Sequence, residues 1–404
     1  MFSLVIPSIA KCGQRPVTTL DLERYVNDGS PSGYTFQDAS STPTTAWSGL
    51  PSFQLPLVAA EIVRECGEPQ ELGGLEKSLR AFCPVHPDVL PLTGYNIILD
   101  PIAWKHVNVV PTSSPRVVLA APNWHFALKL NYPRCLGRFP RQLTWEQAET
   151  SVGVSTYART VEFEHTVLLA EPYAVQYRLR PALSRIGSSE HVVIVRDCKL
   201  GAEERIVWAI PGFAMLARER LGFLENPLVF EVAEPLGIRP AALLGEGFVA
   251  TFFRSVDELV VKAGIWPECT AQNCFFAMRE SGKPCIIWRD CQGFFRDAEL
   301  LAEFGKKDVI DLSNYHLLAG RDAPMWRSYL FDDLISRHIV DPCLKLFETD
   351  GERRKMERLI TSVGRRSLVA TSSILPKESY GMCAKKPKPN ERLGLHSMQK
   401  PFWR

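Results

Sequence analysis

The sequence predicts an α+β protein in which a region of antiparallel sheet packs against a mostly helical region. From about residue 84 to 201, apolar and polar residues alternate, which is the period of half-buried strands. Beyond residue 202 the apolar period lengthens to that of amphipathic helices. A hairpin-like segment at 274–290 interrupts the helical part, because two apolar runs flank a turn that contains glycine and proline.

Composition narrows the class of protein. A chain of 404 residues with 46% apolar and 23% charged residues can bury two or three cores. Lys and Arg number 47 against 45 Asp and Glu, so no overall field favours nucleic acid or a membrane surface, and an anion site must be local. No apolar run approaches the roughly 18 residues that span a bilayer, and residues 1–6 lack the basic leader of a secretory signal. We expect a cytoplasmic protein that binds neither nucleic acid nor membrane.

The eleven cysteines are scattered along the chain, which favours reduced thiols used as small core residues. The pairs Cys269/Cys274 and Cys285/Cys291 suggest a zinc site as an alternative. Their gaps of four and five residues do not match the two-residue knuckle of zinc ribbons, so core thiols are the favoured interpretation.

The N-terminal region, 1–83, is predicted to be poorly ordered. Residues 27–56 are rich in Ser, Thr, Pro and Gly, a composition that favours a long loop. Short helices are predicted at 57–66 and 75–82, before a proline-rich stretch at 83–87.

The sheet-rich region, 84–201, shows its clearest alternation at 126–132. One helix is predicted at 144–152, where Thr144 and Gln147 form a capping pair. Further strands are predicted at 160–169, 173–180 and 191–197.

In the helical region, 202–376, Ser255 and Glu258 are interpreted as a capping box, and Gly264 as the stop of the same helix. The final segment, 377–404, holds seven Lys or Arg against two Glu and is predicted to be a basic mobile tail. The helices predicted between residues 202 and 376 are 202–209, 212–222, 255–263, 296–305, 326–348 and 351–364.

The first candidate site lies on a predicted pair of strands. If a type I turn is centred on 122–123, Arg116 lies opposite Lys129. Two opposed cations destabilise a sheet, so this arrangement is favoured when an anion sits between them. The hydroxyls of Ser113 and Ser114 lead into the same end and can donate to phosphate oxygens. A register shifted by one, with Lys129 merely solvated, is the alternative, and periodicity does not decide between them.

Two further groups carry suitable chemistry. Arg134, Arg138 and Arg141 follow the same strand, and arginine forks pair with carboxylate or phosphate. The polar loop 268–273 precedes the hairpin that ends at Arg289 and Asp290. Kinase-like nucleotide folds present metal and phosphate ligands in this way, and one or two carboxylates suffice for magnesium. An ordinary hairpin with a turn aspartate is the alternative.

Together these segments resemble the aerobactin-synthetase family, the siderophore synthetases that work without a peptide synthetase template. The likeness spans roughly 84–300 and depends on the order of several short motifs. They are Pro84-Val85-His86-Pro87, Pro111-Thr112-Ser113-Ser114-Pro115-Arg116, Lys129-Leu130 with Arg141 twelve residues later, and Glu268-x-x-x-Gln272-Asn273 followed by Arg289-Asp290-x-x-Gly293.

The resemblance implies a hand-like architecture, with an ATP cleft between sheet-rich fingers and a helical palm. It implies adenylation of a citrate-like polycarboxylic acid, then attack by an amine or alcohol, with ATP and Mg²⁺ required and AMP and pyrophosphate released. It allows a homo-oligomer. The implied catalytic residues are Arg116, Arg141 and Thr270; the implied ATP or carboxylate ligands are Ser113, Ser114, Arg116, Lys129, Arg138, Gln272, Asn273 and Arg289; the implied metal ligands are Glu268 and Asp290.

The chain departs from the family pattern at three places. Thr270 stands where the family has histidine, and Gly137-Arg138 stands where it has Thr-Ser. No counterpart of the family's N-terminal region is found before residue 84, so the sequence looks N-terminally shortened. These departures keep two alternatives open. One is a non-catalytic relative that binds nucleotide or carboxylate. The other is a kinase-like phosphotransferase, for which no glycine-rich loop or His-Arg-Asp element is present.

Overall fold

A computed structural model describes residues 17–26, 53–72, 74–86, 104–112, 114, 116–120, 125–136, 139–179, 190–200, 204–217, 226–305, 315–382 and 395–403. The expected turn at 122–123 and the candidate ligands Ser113 and Arg138 lie outside these residues. Within these ranges, no helix combines the length and the apolar composition that crossing a bilayer requires.

The described residues form both strands and helices. The strands are β1 (Phe53–Gly67), β2 (Phe82–Pro84), β3 (Trp104–Pro111), β4 (Val117–Ala120), β5 (Phe126–Leu130), β6 (Tyr132–Leu136), β7 (Phe139–Arg141), β8 (Thr166–Leu168), β9 (Tyr173–Leu179), β10 (Glu190–Asp197), β11 (Ile206–Pro211), β12 (Ile265–Trp266), β13 (Cys274–Arg279), β14 (Pro284–Trp288), β15 (Phe295–Asp297), β16 (Leu317–Leu318), β17 (Ser379–Met382) and β18 (Leu395–Met398).

The helices follow in the same order. They are α1 (Thr19–Tyr25), α2 (Leu75–Ala81), α3 (Trp145–Ala158), α4 (Gly212–Met215), α5 (Leu228–Ala233), α6 (Pro240–Ala242), α7 (Ala250–Ala263), α8 (Ala298–Glu303), α9 (Ala323–Ser328), α10 (Asp341–Lys345), α11 (Asp350–Ser367) and α12 (Val369–Ile374), with π-helical segments at Leu243–Val249, Tyr329–Asp333 and Ser336–Val340. Helices and antiparallel sheets thus coexist, and the α+β prediction is confirmed at that level.

A seven-stranded sheet is built in the order β2-β1-β3-β4-β5-β10-β9. The second half of β1 also pairs with β9, so the sheet closes on itself. The helix predicted at 57–66 is therefore wrong, because these residues form the middle of β1. Local helix propensity at Ala59 and Ala60 is outweighed by pairing with three strands and by burial of Leu55 and Val58 in the core. Strands β1 and β2, which precede residue 84 or reach it, belong to this sheet as well.

The hairpin predicted at 274–290 is confirmed as β13 and β14. They lie in a four-stranded sheet of order β11-β13-β14-β8. The helix predicted at 202–209 is wrong from Ile206 onward, where β11 pairs with β13. Buried Ala209 and Ile210 gain both strand pairing and core contacts in this position, which decides against a helix.

Helix α7 ends at Gly264, whose φ of 64° lies in the left-handed region, so that predicted stop is confirmed. The capping box is wrong, because Ser255 and Glu258 lie inside the helix. The Ser255 hydroxyl accepts a hydrogen bond from the Trp288 indole at 2.7 Å. The Glu258 carboxylate accepts from the backbone of Glu164 and His165 at 2.8 and 2.9 Å. Both side chains fasten α7 to the four-stranded sheet.

Several of the other predicted helices are confirmed. The helix near 144–152 is confirmed as α3, with the Thr144 and Gln147 capping box present. Those near 75–82, 296–305 and 351–364 are confirmed as α2, α8 and α11. The single helix predicted at 326–348 is confirmed as a continuous helical stretch over 323–345, in which α-helical and π-helical segments alternate. Pro342, in the first turn of α10, cannot donate a backbone hydrogen bond.

The tail predicted to be mobile is ordered in its described parts. Strands β17 and β18 pair as an antiparallel ladder. Trp403 is only 3% exposed and packs against Gly364 of α11. A buried tryptophan removes a large apolar area from water, and that gain outweighs the loss of chain freedom in the tail.

Three cores position the site. One face of the seven-stranded sheet packs its own core, which includes Val118, Leu128 and Val193. The other face meets the four-stranded sheet near Ala127 and meets α3 near Ile194. The free cysteines are core residues at seven of the eight described positions, among them all four members of the two pairs considered above, Cys269, Cys274, Cys285 and Cys291.

Candidate anion and nucleotide site

Asp290 lies two residues after the end of β14 and is the centre of the site. Its backbone is left-handed, with φ 70° and ψ 51°. Aspartate tolerates this conformation better than most residues, but it still costs about 1–2 kcal/mol. Its side chain is 26% exposed, while the side chains that contact it are almost fully buried. The protein therefore holds this carboxylate in a strained position at the edge of a buried charge cluster.

Two cations of the seven-stranded sheet converge on one oxygen of Asp290. The Lys129 ammonium on β5 and the Arg196 guanidinium on β10 both donate to Oδ1, the arginine at 2.6 Å. Their side chains are 2% and 3% exposed. Arg196 pairs with Ala127 across the strands, two residues from Lys129, so both side chains project from the same sheet face.

Glu171 completes the cluster from the loop before β9. Its Oε1 accepts from Arg196 Nε at 2.9 Å and from Nη2 at 2.6 Å. Its Oε2 accepts from the Ser151 hydroxyl on α3, and its backbone amide donates to Ser155 at 2.7 Å. Glu171 is fully buried and held on all sides.

The charges in this cluster shift one another. Burial lowers the pKa of the Lys129 ammonium to about 8, although the Asp290 carboxylate opposes the change. Burial alone would raise the pKa of Asp290, but Lys129 and Arg196 outweigh it and hold that pKa well below its usual range. Burial likewise opposes the charge on Arg196, and Glu171 and Asp290 outweigh it and raise the pKa of the guanidinium. At neutral pH Lys129, Asp290 and Arg196 are therefore charged.

Arg116 lies beside this cluster, but not in the expected register. Val117, not Arg116, is the partner of Lys129, so the predicted pairing is wrong by one residue. The observed register places Val117 and Leu119 in the apolar contact with the four-stranded sheet, which a one-residue slip would undo. The alternative, a register shifted by one with Lys129 solvated, is confirmed for the register and wrong for the solvation, because the Lys129 side chain is buried. The buried Arg116 charge still reaches Lys129 and Asp290 and lowers the pKa of both.

A second group of predicted ligands lies on the other side of the hairpin. Asn273 donates from Nδ2 to Glu268 Oε2 at 2.8 Å. A Cβ atom on Gly293 would lie 2.8 Å from the same Glu268 oxygen, so a larger residue at this position would displace the Glu268 carboxylate. Gly293 closes the turn that begins at Asp290, with its amide 2.9 Å from the Asp290 carbonyl. Thr270 is half-buried, and its carbonyl accepts from the Asn273 amide at 3.1 Å.

The Arg289 side chain and the Gln272 carbonyl form hydrogen bonds within the protein. Arg289 donates from Nε to the Gln272 carbonyl at 2.8 Å and pairs with the buried Glu23 carboxylate of α1. Its guanidinium carbon lies 4.9 Å from the centre of the Phe275 ring. The geometry assigns Arg289 to fastening α1 and the loop 271–273 onto the hairpin.

The remaining predicted residues lie between β3 and β4 and in β7. Ser114 is half-buried in the turn between β3 and β4, where its carbonyl accepts from the Val117 amide at 3.2 Å. Arg141 ends β7 opposite Tyr132, and its side chain lies outside the described residues. His86, of the Pro84-Val85-His86-Pro87 motif, is buried in an edge contact with Tyr132 at 4.7 Å between ring centres.

Sequence reasoning missed Arg196 and Glu171. The available signal was an arginine directly after the apolar run 192–195 of a predicted strand. A charge in such a strand is buried and needs a partner. Which acid supplies the partner is not visible in the sequence, because Glu171 and Asp290 lie 25 and 94 residues away.

The donor set fits magnesium only together with phosphate. Among the described residues, no group of three or more His, Cys, Asp or Glu side chains could hold a metal ion alone. Magnesium usually takes one or two protein carboxylates and completes its shell with phosphate oxygens and water. Asp290 is partly exposed, and both described bonds to its carboxylate fall on Oδ1. The arrangement can therefore bind a polyanion through its cations and a divalent ion through its carboxylate.

No protein-family model and no curated protein sequence matches this chain. Several solved structures do match it. The petrobactin biosynthesis protein AsbB from Bacillus anthracis str. Sterne superposes with a TM-score of 0.65 at 17% identity, covering 88% of this chain and 69% of that one.

Two aerobactin synthetases from a hypervirulent pathotype of Klebsiella pneumoniae match as well. IucA superposes with a TM-score of 0.56 at 13% identity, covering 79% of this chain and 62% of that one. IucA has also been solved with ATP bound, and that structure matches with a TM-score of 0.55. IucC gives a TM-score of 0.52 at 14% identity, with coverages of 80% and 64%. The chain thus spans about two thirds of the length of these proteins. It has the fold of the siderophore synthetases that work without a peptide synthetase template, the family that its ordered motifs resemble.

Proposed function

We propose that this protein is an ATP-dependent ligase of siderophore biosynthesis. It adenylates one carboxylate of a citrate-like polycarboxylic acid and joins it to an amine or alcohol. The observation that carries the proposal is the convergence of Lys129 and Arg196 on Asp290. This convergence occurs in a fold shared with three siderophore-biosynthesis proteins, one of them solved with ATP bound.

The chemistry requires two anions to meet. A carboxylate oxygen attacks the α-phosphorus of ATP, and pyrophosphate leaves with the electron pair of the broken P–O bond. The amine nitrogen or hydroxyl oxygen then attacks the acyl carbon, AMP leaves, and the proton of the nucleophile passes to solvent. Fixed cations lower the repulsion in the first step, most strongly where water is scarce. Arg116, Lys129 and Arg196 are buried cations at one place and suit this task.

Asp290, with Glu268 across the turn, would hold Mg²⁺ against the phosphates. The ion would neutralise charge on the leaving pyrophosphate. A reaction that consumes ATP needs a compartment that contains it, and buried free thiols fit a reducing one. The cytoplasm is therefore the proposed location.

The test is pyrophosphate exchange into ATP with a panel of di- and tricarboxylates. We expect exchange with at least one tricarboxylate and a loss of about 100-fold in Arg116→Ala, the usual effect of removing a charge-stabilising donor. Arg178→Ala is the matched control, because that arginine is 54% exposed and pairs only with Glu61 among the described residues. Exchange that is unchanged in Arg116→Ala would remove this site from the reaction.

The nucleotide product separates the alternatives. AMP formation supports the ligase, whereas ADP formation would identify a phosphotransferase. Thr270, in place of the family's histidine, favours a third outcome, because threonine carries no positive charge. Nucleotide binding without any exchange or turnover would identify a non-catalytic relative.

A further inference from the structure

The two cations that bind Asp290 differ in their number of acidic partners. Arg196 has two acidic partners, Asp290 and Glu171, whereas Asp290 is the one hydrogen-bond partner of the Lys129 ammonium among the described residues. We propose that Glu171 and Arg196 form a positioning pair that holds the Asp290 carboxylate in place. Lys129, in contrast, breaks its hydrogen bond to Asp290 and binds the anionic substrate. This inference rests on the proposed function.

The Glu171–Arg196 pair is fixed by its surroundings. Glu171 has no exposed surface and accepts two bonds from the guanidinium and one from Ser151. Its backbone amide is tied to Ser155 as well. Separating a buried pair leaves an uncompensated charge in the core, which is strongly unfavourable. Arg196 therefore stays in place when a ligand arrives.

Lys129 is free to exchange partners. A lysine side chain is a flexible stem with a point charge, and a phosphate oxygen can replace a carboxylate oxygen at similar bond strength. The partly exposed Asp290 is where a ligand reaches the cluster. When Lys129 moves to a phosphate, Asp290 loses one cation and becomes a better ligand for a divalent ion. Arg196 prevents the strained aspartate from turning away.

The charge of the cluster makes the proposal testable. The two carboxylates, Glu171 and Asp290, balance the two cations, Lys129 and Arg196, and the buried Arg116 beside them adds one positive charge. This excess is smaller than the charge of a triphosphate, so a triphosphate binds best when a divalent ion arrives with it. Removing the charge of Glu171 adds one more positive charge and lets Arg196 turn fully to Asp290. Metal-free ATP should then bind more tightly, and magnesium should help less.

The experiment measures ATP affinity by calorimetry, with EDTA and with excess Mg²⁺, for the full chain and for Glu171→Gln. The readout is the ratio of the metal-free Kd to the Kd with Mg²⁺. We expect this ratio to fall by about fivefold or more in Glu171→Gln, the lower end of usual coupling between sites. A purely structural role would weaken both affinities by the same factor and leave the ratio unchanged.

The matched control removes another buried carboxylate. Asp297 has no exposed surface and pairs with the Arg327 guanidinium through both oxygens, at 2.6 and 2.7 Å. Asp297→Asn should lower stability and leave the ratio at the wild-type value. If Glu171→Gln does not fold, Glu171→Asp keeps the charge but withdraws it from Arg196, and the ratio should fall by about threefold, a smaller change in the same direction.

The outcomes are distinct. A ratio unchanged in a folded Glu171 variant overturns the positioning role and leaves the proposed ligase standing. An equal fall in Asp297→Asn overturns it too, because the effect would then follow from lost stability. A wild-type chain that binds no ATP under either condition overturns both the positioning role and the proposed function.

Discussion

Asp290 joins three properties at a single residue: a left-handed backbone, contact with two buried cations, and partial exposure to solvent. Strained residues of this kind persist where the surrounding contacts determine their position. Lys129 and Arg196 supply such contacts here. The Asp290 carboxylate is therefore held in position by its partners and is also partly exposed, so that a ligand can reach it.

Substitutions at Asp290 should separate charge from backbone strain. Asp290→Asn leaves two buried cations without their shared acid and should lower the free energy of unfolding by about 3 kcal/mol. Asp290→Ala should lower it by about 1 kcal/mol more, because alanine is poorly accommodated in the left-handed region. Urea unfolding measures both values. Equal losses in the two variants would show that the left-handed backbone contributes nothing to the difference.

Lys129 predicts a pH dependence of nucleotide binding. Its pKa of about 8 lies below the ordinary lysine value because the ammonium is buried, so the free protein loses this charge as pH rises through 8. A bound anion raises the pKa again, and binding near pH 8 therefore takes up a proton. ATP affinity should fall between pH 7 and 9, and the binding enthalpy at pH 8 should vary with the ionisation enthalpy of the buffer.

Lys129→Met should remove both effects. Lys283→Met is the control, because that lysine is 65% exposed and pairs with Glu164 at the surface. An affinity that falls equally with pH in Lys129→Met would assign the titration to another group.

At the scale of elements, the turn after β14 fixes the distance between the two proposed metal ligands. Asp290 begins this turn and Gly293 ends it against the Glu268 carboxylate. The hairpin brings the loop 271–273 alongside through the bond from the Arg289 amide to the Asn273 carbonyl, at 2.9 Å. This short turn, with Gly293 at its closest contact, thus positions the two proposed metal ligands.

Gly293→Ala tests this element. The added methyl would lie 2.8 Å from Glu268 Oε2 and should displace the carboxylate from Asn273. Because the end of the Glu268 side chain can move aside, we expect the free energy of unfolding to fall by only about 1 kcal/mol or less, the low end for overpacked sites. We expect ATP to bind more weakly in the presence of Mg²⁺, because the carboxylate is displaced. Both are measured by urea unfolding and calorimetry.

Gly247→Ala is the matched control. Its added methyl would meet ordinary contacts at 3.5 Å inside a helical segment, where alanine stabilises by up to about 1 kcal/mol. Wild-type ATP binding in Gly293→Ala would mean that the Glu268 carboxylate does not take part in the site.

For the whole molecule, the described end of the chain is part of the large apolar core of the helical region. Trp403 packs on α11, and its ring belongs to the same cluster as Phe253 of α7. The segment 377–404, whose composition predicts a basic tail, therefore contributes to the core of the helical region.

Trp403→Ala should lower the free energy of unfolding by about 3–5 kcal/mol, the usual range for a buried aromatic side chain. Phe402→Ala is the control, since Phe402 is 42% exposed and its loss should change stability by less than about 0.5 kcal/mol. Chemical unfolding measures both. A neutral Trp403→Ala would mean that this end of the chain is not packed in solution.

Local chemistry was predictable where it depends on near neighbours. The capping box of Thr144 and Gln147, the stop at Gly264 and the hairpin of β13 and β14 each arise from residues a few positions apart. The order of short motifs, which resembles the synthetases, is also a property of the sequence alone, and the fold confirmed it.

Tertiary structure decided the rest. The sequence could not reveal that 57–66 pairs as a strand, that Val117 faces Lys129, or that Trp403 is buried, because packing partners distant in the chain outweigh local propensity. It supplied Lys129 and Asp290 as candidates. Their ion pair, 161 residues apart, and its anchor through Arg196 to Glu171 exist because the cost of burying each charge alone is met by the opposite charge that folding brings beside it.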